Sequence, residues 1–302
     1  MHNKTEQVVS GLELWQWRTQ AKAAAMKAGI EPKEVDWLLQ EITPLEPLAL
    51  RLESFKEQSK IELHLPLKDL NKLWQQRIEK RVPLQYLIGR ARWRHFSLAV
   101  SPAVLIPRPE TELIVDLAVE ACKNNPSLAV GDWADLGTGS GAIAFGLADA
   151  LTKTTIHAVD ISPEALALAR QNAYKLGFTD RIKFYLGSWF EPIKALKEQL
   201  SGIVSNPPYI PDEIIPHLMP EVAKHEPHLA LAGGADGLDC IREVITFAPI
   251  YLRPGGILIL EMMIGQAETV AKLLNATGKY SQIKICRDLA GIERFAIAHK
   301  SL

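Results

Sequence analysis

The fold is decided by the stretch VGDWADLGTGSG, which covers residues 130–141. Its first part, Val130 to Leu136, ends in an apolar run that predicts a buried strand. An apolar segment from Ala142 to Leu151 follows and predicts a helix. A glycine-rich loop therefore joins a strand to a helix. Glycines let the backbone approach a ligand closely, and the first N–H groups of a helix are free to bind a carboxylate or a phosphate.

Strands and helices alternate from Pro126 to the end of the sequence. The predicted strands are Val130–Leu136, Thr155–Asp160, Ile182–Leu186, Gly202–Ser205, Ile257–Glu261, Gln282–Arg287 and Arg294–Ala298. The predicted helices lie near Pro109–Asn124, Gly141–Leu151, Pro163–Leu176, Gly237–Leu252 and Gly265–Asn275. Such alternation predicts an α/β fold with a doubly wound, mostly parallel, Rossmann-like sheet.

Asp160 ends the strand after the glycine loop, at the edge where open α/β sheets bind ligands. Taken alone, it is more often a strand-end cap or a solvated carboxylate, but the loop beside it favours a carboxylate that accepts hydrogen bonds from both hydroxyls of a ribose. The loop reads G-x-G-x-G, since Ala142 replaces the third glycine of the dinucleotide fingerprint, and it lacks the Lys-Ser/Thr end of a P-loop. S-adenosylmethionine therefore fits better than a dinucleotide or a nucleoside triphosphate.

A second unusual stretch, Asn206-Pro207-Pro208-Tyr209, follows the predicted strand Gly202–Ser205. Each proline fixes its own φ and holds the residue before it extended, and neither has an N–H group. The stretch therefore presents two acceptors, the side-chain oxygen of Asn206 and the carbonyl of Pro207, beside the flat ring of Tyr209. Such a site suits a planar –NH2 group. The alternative is a rigid proline turn with a buried tyrosine.

The nitrogen of an amide or an aromatic amine is a poor nucleophile because its lone pair is delocalised. Two acceptors that receive hydrogen bonds from both N–H groups orient the –NH2 group. They also favour the positive charge that develops as the nitrogen attacks. Positioning can supply up to about 7–11 kcal/mol of the barrier, and each well-placed polar group about 3–4 kcal/mol. S-adenosylmethionine carries the electrophile that such a site requires.

Taken together, these motifs resemble those of the HemK/PrmC family, the methyltransferases that modify the glutamine of peptide-chain release factors. The match is continuous from about Arg81 to the C-terminus and looser before it. It is carried by RVPLQYLIG (81–89), LIPRPETE (105–112), the glycine loop, NPPY (206–209), HEP (225–227), GADGL (234–238) and DLAG (288–291). The IPRPxTE segment is the most family-specific, whereas NPPY is shared with amino-methyltransferases that act on adenine.

The resemblance implies a role for each candidate residue. The glycine loop would cradle the methionine part of S-adenosylmethionine, Asp160 would hold its ribose, and Trp189 would pack against its adenine unless it is simply a core tryptophan. The implied cofactor-binding residues are Gly137, Thr138, Gly139, Ser140, Gly141, Asp160, Trp189 and Asn206. The implied catalytic residues are Asn206, Pro207 and Tyr209, and the implied substrate contacts are these three with Pro208 and Arg108.

Three further points concern the walls of the site. Arg108, Glu110 and Thr111 would form a wall of the pocket, although a structural salt bridge explains them equally well. Ser188 stands where family members often carry Asp, which leaves a carboxylate contact to the adenine amine unsupported. The segment Glu261-Met262-Met263 departs from the Glu-Ile/His-Gly pattern of the family and carries no predicted consequence.

The resemblance predicts a protein-glutamine N5-methyltransferase that acts on the Gly-Gly-Gln loop of class 1 release factors and leaves S-adenosylhomocysteine as its product. The alternative is an adenine-N6 methyltransferase for DNA or RNA, which should bring a basic groove or a target-recognition domain, and neither is evident. A third hypothesis is a non-catalytic docking module with a methyltransferase-like fold. The intact glycine loop, Asp160 and NPPY disfavour it.

Composition agrees with this prediction. With 34 basic and 35 acidic residues the chain is nearly neutral, which weighs against a grip on a long DNA duplex. Cys122, Cys240 and Cys286 lie far apart, so we expect neither a disulfide nor a metal site, and a reducing cytoplasm fits. The start, Met1 to Gly11, is polar, and no run of about 18 apolar residues exists, which predicts a soluble protein without membrane contact. We also expect no stable nucleic-acid partner and a monomer.

A chain of 302 residues exceeds the usual single domain. Residues 1–85 have helical periodicity and a capping-box pattern at Ser10 and Glu13, which predict a helical bundle. The family resemblance implies that this bundle docks the protein substrate. Residues 86–108 are predicted to be an extended or hairpin linker, and residues 109–302 the methyltransferase domain.

Within the linker, Gly89 to Val100 is predicted to be extended and to form a hairpin with Val104-Leu105-Ile106. Arg90, Arg92 and Arg94 alternate, so they would share one face of a strand. We interpret this face as a solvated basic edge. The alternative is a contact with an acidic substrate surface or with ribosome-associated RNA.

Overall fold

The computed structural model describes residues 7–302, so the first six residues of the polar start predicted from Met1 to Gly11 lie outside the described residues. The described chain divides into two compact units, of which the first ends at Ile88 and the second begins at Gly89. No helix among residues 7–302 combines the length and the hydropathy that crossing a membrane requires.

The first unit is mainly helical. Its elements are β1 (Gln7–Val9), α1 (Gly11–Lys27), α2 (Lys33–Ile42), α3 (Pro47–Leu52), β2 (Ile61–Leu63), α4 (Leu67–Lys80) and α5 (Leu84–Ile88). The predicted cap is present, because Ser10 Oγ accepts from the backbone N–H of Glu13 at 3.2 Å. The helices enclose their own core, which includes the fully buried Leu14, Leu38 and Phe55.

The sequence predicts a helical bundle for residues 1–85, but it does not predict the two short strands that the structure shows there. Strands β1 and β2 form a small antiparallel ladder in which Val9 faces Ile61. Ile61 and Leu63 are buried while Glu62 between them is exposed, which is the two-residue period of a strand. The segment is too short for this period to stand out from the helical pattern around it.

The second unit contains the large sheet. Its elements are β3 (Arg90–Trp93), β4 (Phe96–Ala99), α6 (Leu113–Asn124), β5 (Val130–Leu136), α7 (Ala142–Ala150), β6 (Lys153–Asp160), α8 (Pro163–Leu176), β7 (Ile182–Leu186), β8 (Leu200–Ser205), α9 (Pro220–His225), α10 (Asp239–Tyr251), β9 (Leu252–Glu261), α11 (Ala267–Ala276), β10 (Tyr280–Arg287) and β11 (Glu293–Lys300). Seven of the described strands form one sheet in the order β10-β11-β9-β8-β5-β6-β7. The pairings β9-β8-β5-β6-β7 are parallel, and β11 runs antiparallel to both of its neighbours. The predicted α/β fold with a doubly wound, mostly parallel sheet is confirmed.

The chain order of these strands places a ligand crevice at the middle of the sheet. From β5 the chain moves outward through β6 to β7, and it then returns to the other side of β5 through β8 and β9. The switch point therefore lies between β5 and β8. In open α/β sheets, ligands bind outside the carboxyl ends of the strands at this point.

The predicted hairpin with residues 104–106 is wrong. Instead, β3 and β4 pair with each other, with Arg90 opposite Ala99 and Trp93 opposite Phe96, and residues 104–106 form no strand in the described chain. Trp93 and Leu98 point into the core of the second unit, which anchors the hairpin there.

Because β3 ends at Trp93, Arg94 does not share a strand face with Arg90 and Arg92. It lies in the turn with a φ of +51°. Its guanidinium donates to the carbonyl of Glu112 at 3.1 Å and to the carboxylate of Asp116 at 3.0 Å. Arg94 thus has an intramolecular structural role.

Candidate active site

Four strand ends of the sheet bring three polar residues and the first glycine of the loop into one row. Ser205 of β8 is in register with Leu136 of β5 and with Leu260 of β9, and Leu136 is also in register with Val159 of β6. The next residue of each strand end is therefore adjacent to its neighbours in the order Glu261, Asn206, Gly137 and Asp160. Neighbouring strands lie about 4.8 Å apart, so this row is compact.

A cavity of about 430 Å³ opens above the row. The predicted site residues that line it are Arg108, Gly137, Thr138, Gly139, Ser140, Asp160, Trp189, Asn206 and Pro208. Three further predicted residues stand behind this lining. Gly141 precedes helix α7 as its N-cap, Pro207 is buried, and Tyr209 packs on the apolar core beneath the sheet edge.

The glycine loop is held in a conformation that side chains disfavour. Gly137, Gly139 and Gly141 have φ values of +74°, +54° and +91°, a region that glycine adopts without steric cost. Asp160 fixes the loop from the next strand, because its Oδ2 accepts from the N–H of Gly139 at 2.8 Å while Oδ1 accepts from the N–H of Ser162 at 2.9 Å. Burial raises the pKa of Asp160, and these backbone donors oppose the rise. A carboxylate has about four lone-pair sites, so Asp160 retains capacity for further donors.

Asp135, at the end of strand β5, braces the same loop from inside. Its Oδ2 accepts from the hydroxyl of Thr138 at 2.6 Å and from the N–H of Ala144 at 3.1 Å. Burial raises the pKa of Asp135 to about 7, and the nearby charge of Asp160 acts in the same direction. Asp135 therefore ties the glycine loop to the first turn of α7.

Trp189 forms the wall opposite the glycine loop. Its φ is +43°. A positive φ is rare for a bulky residue, and residues with such backbone strain cluster at functional sites. A methyl group built on Gly137 would meet the Trp189 ring at 3.8 Å, so the ring lies directly across from the loop. Ser188 lines the cavity beside it. The indole also packs partly against the core. Trp189 is therefore part core residue and part cavity wall.

The NPPY segment is fixed by side chains from three other parts of the unit. The Nδ2 of Asn206 donates to the Thr111 hydroxyl at 3.2 Å, and the Tyr209 hydroxyl donates to Glu261 Oε1 at 3.1 Å. The backbone carbonyl of Tyr209 accepts from Gln266 Nε2 at 3.0 Å. The segment is therefore rigid through more than its two prolines.

Glu261 is a site residue that the sequence analysis did not assign. It is fully buried, and its two carboxylate oxygens accept from Thr111 at 2.7 Å and from Tyr209. Burial raises its pKa to about 7 against these hydrogen bonds. The signal for it was present in the sequence, because a single acidic residue ends the apolar run Ile257 to Leu260, just as Asp160 ends its own strand.

Arg108 lines the cavity and also makes the predicted salt bridge. Its Nη2 lies 2.8 Å from both carboxylate oxygens of Glu226, whose side chain is 1% exposed. Burial raises the pKa of Glu226, and the positive charge of Arg108 opposes this rise. The indole N–H of Trp93 donates to the carbonyl of Arg108 at 2.9 Å, which fixes the backbone there.

The chemistry of the lining fits S-adenosylmethionine. The glycine loop and the start of α7, where Ala142 and Ile143 line the cavity, suit the α-carboxylate of the methionine part, and the Asp160 carboxylate suits ribose hydroxyls. The flat face of Trp189 suits an adenine. The cavity volume of about 430 Å³ lies within the range of about 300–1,000 Å³ that small-molecule sites occupy.

Known proteins resemble the chain at the level of sequence and of fold. A methyltransferase-domain family matches residues 133–282. The release factor glutamine methyltransferase of Synechocystis sp. is 50% identical over 291 residues, which cover 96% of this chain and 97% of that protein. Its counterpart from Thermosynechococcus vestitus is 49% identical over 284 residues, or 94% and 96% of the two chains. Among solved structures, the hMettl16 catalytic domain in complex with the MAT2A 3′UTR hairpin 6 has a TM-score of 0.55 at 11% identity and covers 87% of this chain and 88% of its own, which shows the fold alone.

The doubly wound sheet and the glycine loop at its switch point define a class I S-adenosylmethionine-dependent methyltransferase. The identity to these two sequences extends over almost the full length of each chain. The chain belongs to the family of release factor glutamine methyltransferases, and the resemblance to the HemK/PrmC family is confirmed.

Proposed function

We propose that the protein transfers a methyl group from S-adenosylmethionine to the side-chain amide nitrogen, N5, of the Gln in the Gly-Gly-Gln loop of a class 1 release factor. The observation that carries this proposal is the position of Asn206. Its side chain lines the cavity in register with the glycine loop, and its NH2 group is held by Thr111. The oxygen of the Asn206 amide is thereby left to accept an N–H of the substrate.

The residues of the NPPY segment orient the substrate amide. When bound, the cofactor supplies an electrophilic methyl group. The Asn206 oxygen and the Pro207 carbonyl would accept hydrogen bonds from the two N–H groups of the glutamine. The ring of Tyr209, which stands behind the cavity lining, would pack on the amide from that side once the substrate is bound. Pro208 and Arg108 complete the substrate side of the cavity. These acceptors favour the positive charge that grows on the nitrogen, and the product loses its extra proton readily because an N-protonated amide is a strong acid.

The remaining residues would hold the cofactor. The segment Gly137 to Gly141 would bind its methionine part, Asp160 its ribose and Trp189 its adenine, and S-adenosylhomocysteine would leave as the product. We propose that no metal takes part and that the enzyme is a monomer. The nearly neutral charge of the chain, −1 at pH 7, supports an enzyme that holds no nucleic acid stably.

We also propose that the first unit, which ends at Ile88 and contains the bundle predicted for residues 1–85, docks the release factor. This unit has its own hydrophobic core, whereas every residue that lines the cavity lies between Ala103 and Cys240. Hydrogen exchange of the full chain tests the proposal. Adding a release factor should slow exchange in helices of the first unit, and unchanged exchange across residues 7–88 would contradict it.

The experiment that tests the function offers methyl-labelled S-adenosylmethionine together with a class 1 release factor, or with DNA or RNA. We expect label on the release factor, at the Gly-Gly-Gln glutamine in a peptide digest. A release factor whose loop glutamine is changed to alanine is the matched control and should stay unlabelled. Label on adenine instead would replace the proposed function with the adenine-N6 alternative.

A further inference from the structure

We propose that Glu261 is a positioning residue that acts through the Thr111 hydroxyl to fix which way the Asn206 amide faces. The inference rests on the proposed function of Asn206 and deepens it. Thr111 and Asn206 line the cavity, whereas Glu261 lies behind them and is not part of the lining. Glu261 therefore influences the reaction only through the side chains that contact it.

The two hydrogen bonds at Glu261 have a fixed direction. An ionised carboxylate has acceptors only. Thr111 at 2.7 Å and Tyr209 at 3.1 Å must therefore both point their hydroxyl protons towards Glu261. Since Glu261 is fully buried, water does not compete for these protons.

The hydroxyl of Thr111 has a single proton to donate. Because that proton is given to Glu261, Thr111 can only accept from the Asn206 amide, 3.2 Å away. An amide oxygen facing Thr111 would put two acceptors against each other without a proton between them. The NH2 group of Asn206 must therefore face Thr111, and its oxygen must face away.

This orientation provides an acceptor for the substrate amide. A substrate –NH2 group has donors only, so the residue that holds it must present an oxygen. Asn206 can present either its oxygen or its NH2 group, depending on how its amide is turned. The chain Glu261–Thr111–Asn206 selects the oxygen before any substrate binds. This is preorganisation of the kind that accelerates a reaction without costing reorganisation later.

Protonation of Glu261 would reverse the direction of the hydrogen bonds that run from Asn206 through Thr111 to Glu261. A protonated carboxyl can donate to the Thr111 oxygen, and the Thr111 proton then turns towards Asn206 and engages the amide oxygen. Burial raises the pKa of Glu261 to about 7; the positive charge of Arg294 opposes this rise, and the negative charge of Glu110 adds to it. Thr111 and Tyr209, the remaining polar groups that face the carboxyl, both donate to it.

The test compares Thr111→Val, which keeps the shape and removes the hydroxyl, with Thr111→Ser, which keeps the hydroxyl. Thr111→Val should lower kcat for release-factor methylation by about 10²-fold, because a misplaced reacting group costs about that much. The KM for the release factor and the Kd for S-adenosylmethionine should stay within a fewfold. Thr111→Ser should recover most of the lost rate.

Thr154→Val is the matched control. Thr154 is buried like Thr111 and donates to the carbonyl of Leu151 at 2.8 Å. It lies near the amino end of β6, whereas the site lies at the carboxyl ends of the strands. Thr154→Val also removes a buried threonine hydroxyl and its hydrogen bond, so it should change thermal stability without changing kcat. A wild-type kcat in Thr111→Val would overturn the inference while leaving the proposed function intact. Failure of the wild-type enzyme to label the release factor would instead overturn the proposed function.

The pH profile of Glu261→Gln provides a second measurement, which also decides the matter if Thr111→Val does not fold. For the wild type, kcat should rise with pH through about 7, as Glu261 loses its proton. In Glu261→Gln this rise should be absent. The measurement needs saturating cofactor, because Asp135 also has a pKa of about 7 and braces the cofactor loop. An unchanged acidic limb and an unchanged kcat in Glu261→Gln would overturn the inference.

Discussion

Replacing Asn206 with alanine should lower kcat for release-factor methylation by about 10²–10³-fold, which is the usual cost of losing one preorganised hydrogen-bonding group that acts in the transition state. The substitution removes the acceptor for the substrate amide but leaves the glycine loop, Asp160 and Trp189 in place. Asn206 is only one of the implied cofactor contacts and the others remain, so affinity for S-adenosylmethionine should fall by no more than a fewfold. Single-turnover rates with saturating cofactor, combined with calorimetric titration of the cofactor, separate the two quantities.

Two further variants show whether the loss in Asn206→Ala is specific. Asn206→Asp keeps the size of the side chain but removes the donor to Thr111, so it should also lose most of the rate. Asn275→Ala on α11 removes an exposed amide that contacts only the carbonyl of Ala271, and it should behave as wild type. If Asn206→Ala methylates the release factor at the wild-type rate, Asn206 does not hold the reacting amide.

The sequence predicts the position of the site because the signals there are local. The glycine loop, Asp160 and Asn206 each follow directly on an apolar run, and apolar runs of this length predict strands. Parallel strands end at the same edge of a sheet, so three local signals suffice to place the three residues together. The register adds that they are immediate neighbours.

The partners of these residues could not be predicted in the same way. Thr111 and Glu261 are 150 positions apart, and Arg108 and Glu226 are 118 apart. Each pair joins two segments that only the tertiary fold brings together. Alternation of apolar and polar residues indicates which element a residue belongs to, but it carries no information on which distant polar groups meet. The role of Glu261 therefore depends on tertiary structure.

The two errors in secondary structure have a common cause. Strands β1 and β2 have three residues each, and β3 and β4 have four. Two periods of alternation are too few to distinguish a short strand from a loop or a helix end. In the hairpin, the turn at Arg94 and His95 lacks the Asn-Gly or Asp-Gly pair that marks tight turns. The hydrogen bonds of Arg94 to Glu112 and its ion pair with Asp116 hold this turn instead.

Asp160→Ala should weaken binding of S-adenosylmethionine and S-adenosylhomocysteine by about 10²-fold or more, since each hydrogen bond to a charged group contributes about 1.5–3 kcal/mol. The variant removes the proposed acceptor for the ribose hydroxyls and also the partner of the Gly139 N–H. Calorimetric titration of both ligands measures the loss. Asp132→Ala removes a carboxylate that contacts His157 on the same sheet, outside the cavity lining, and serves as the matched control.

A ligand without ribose hydroxyls separates the two effects of Asp160→Ala. The 2′,3′-dideoxy analogue of S-adenosylhomocysteine should bind the wild type more weakly than the parent compound does, because it cannot donate to Asp160. For Asp160→Ala the two ligands should bind equally, and the coupling between substitution and deletion measures the direct contact. If removing the hydroxyls weakens binding to Asp160→Ala as much as binding to the wild type, Asp160 only supports the glycine loop, and another group holds the ribose.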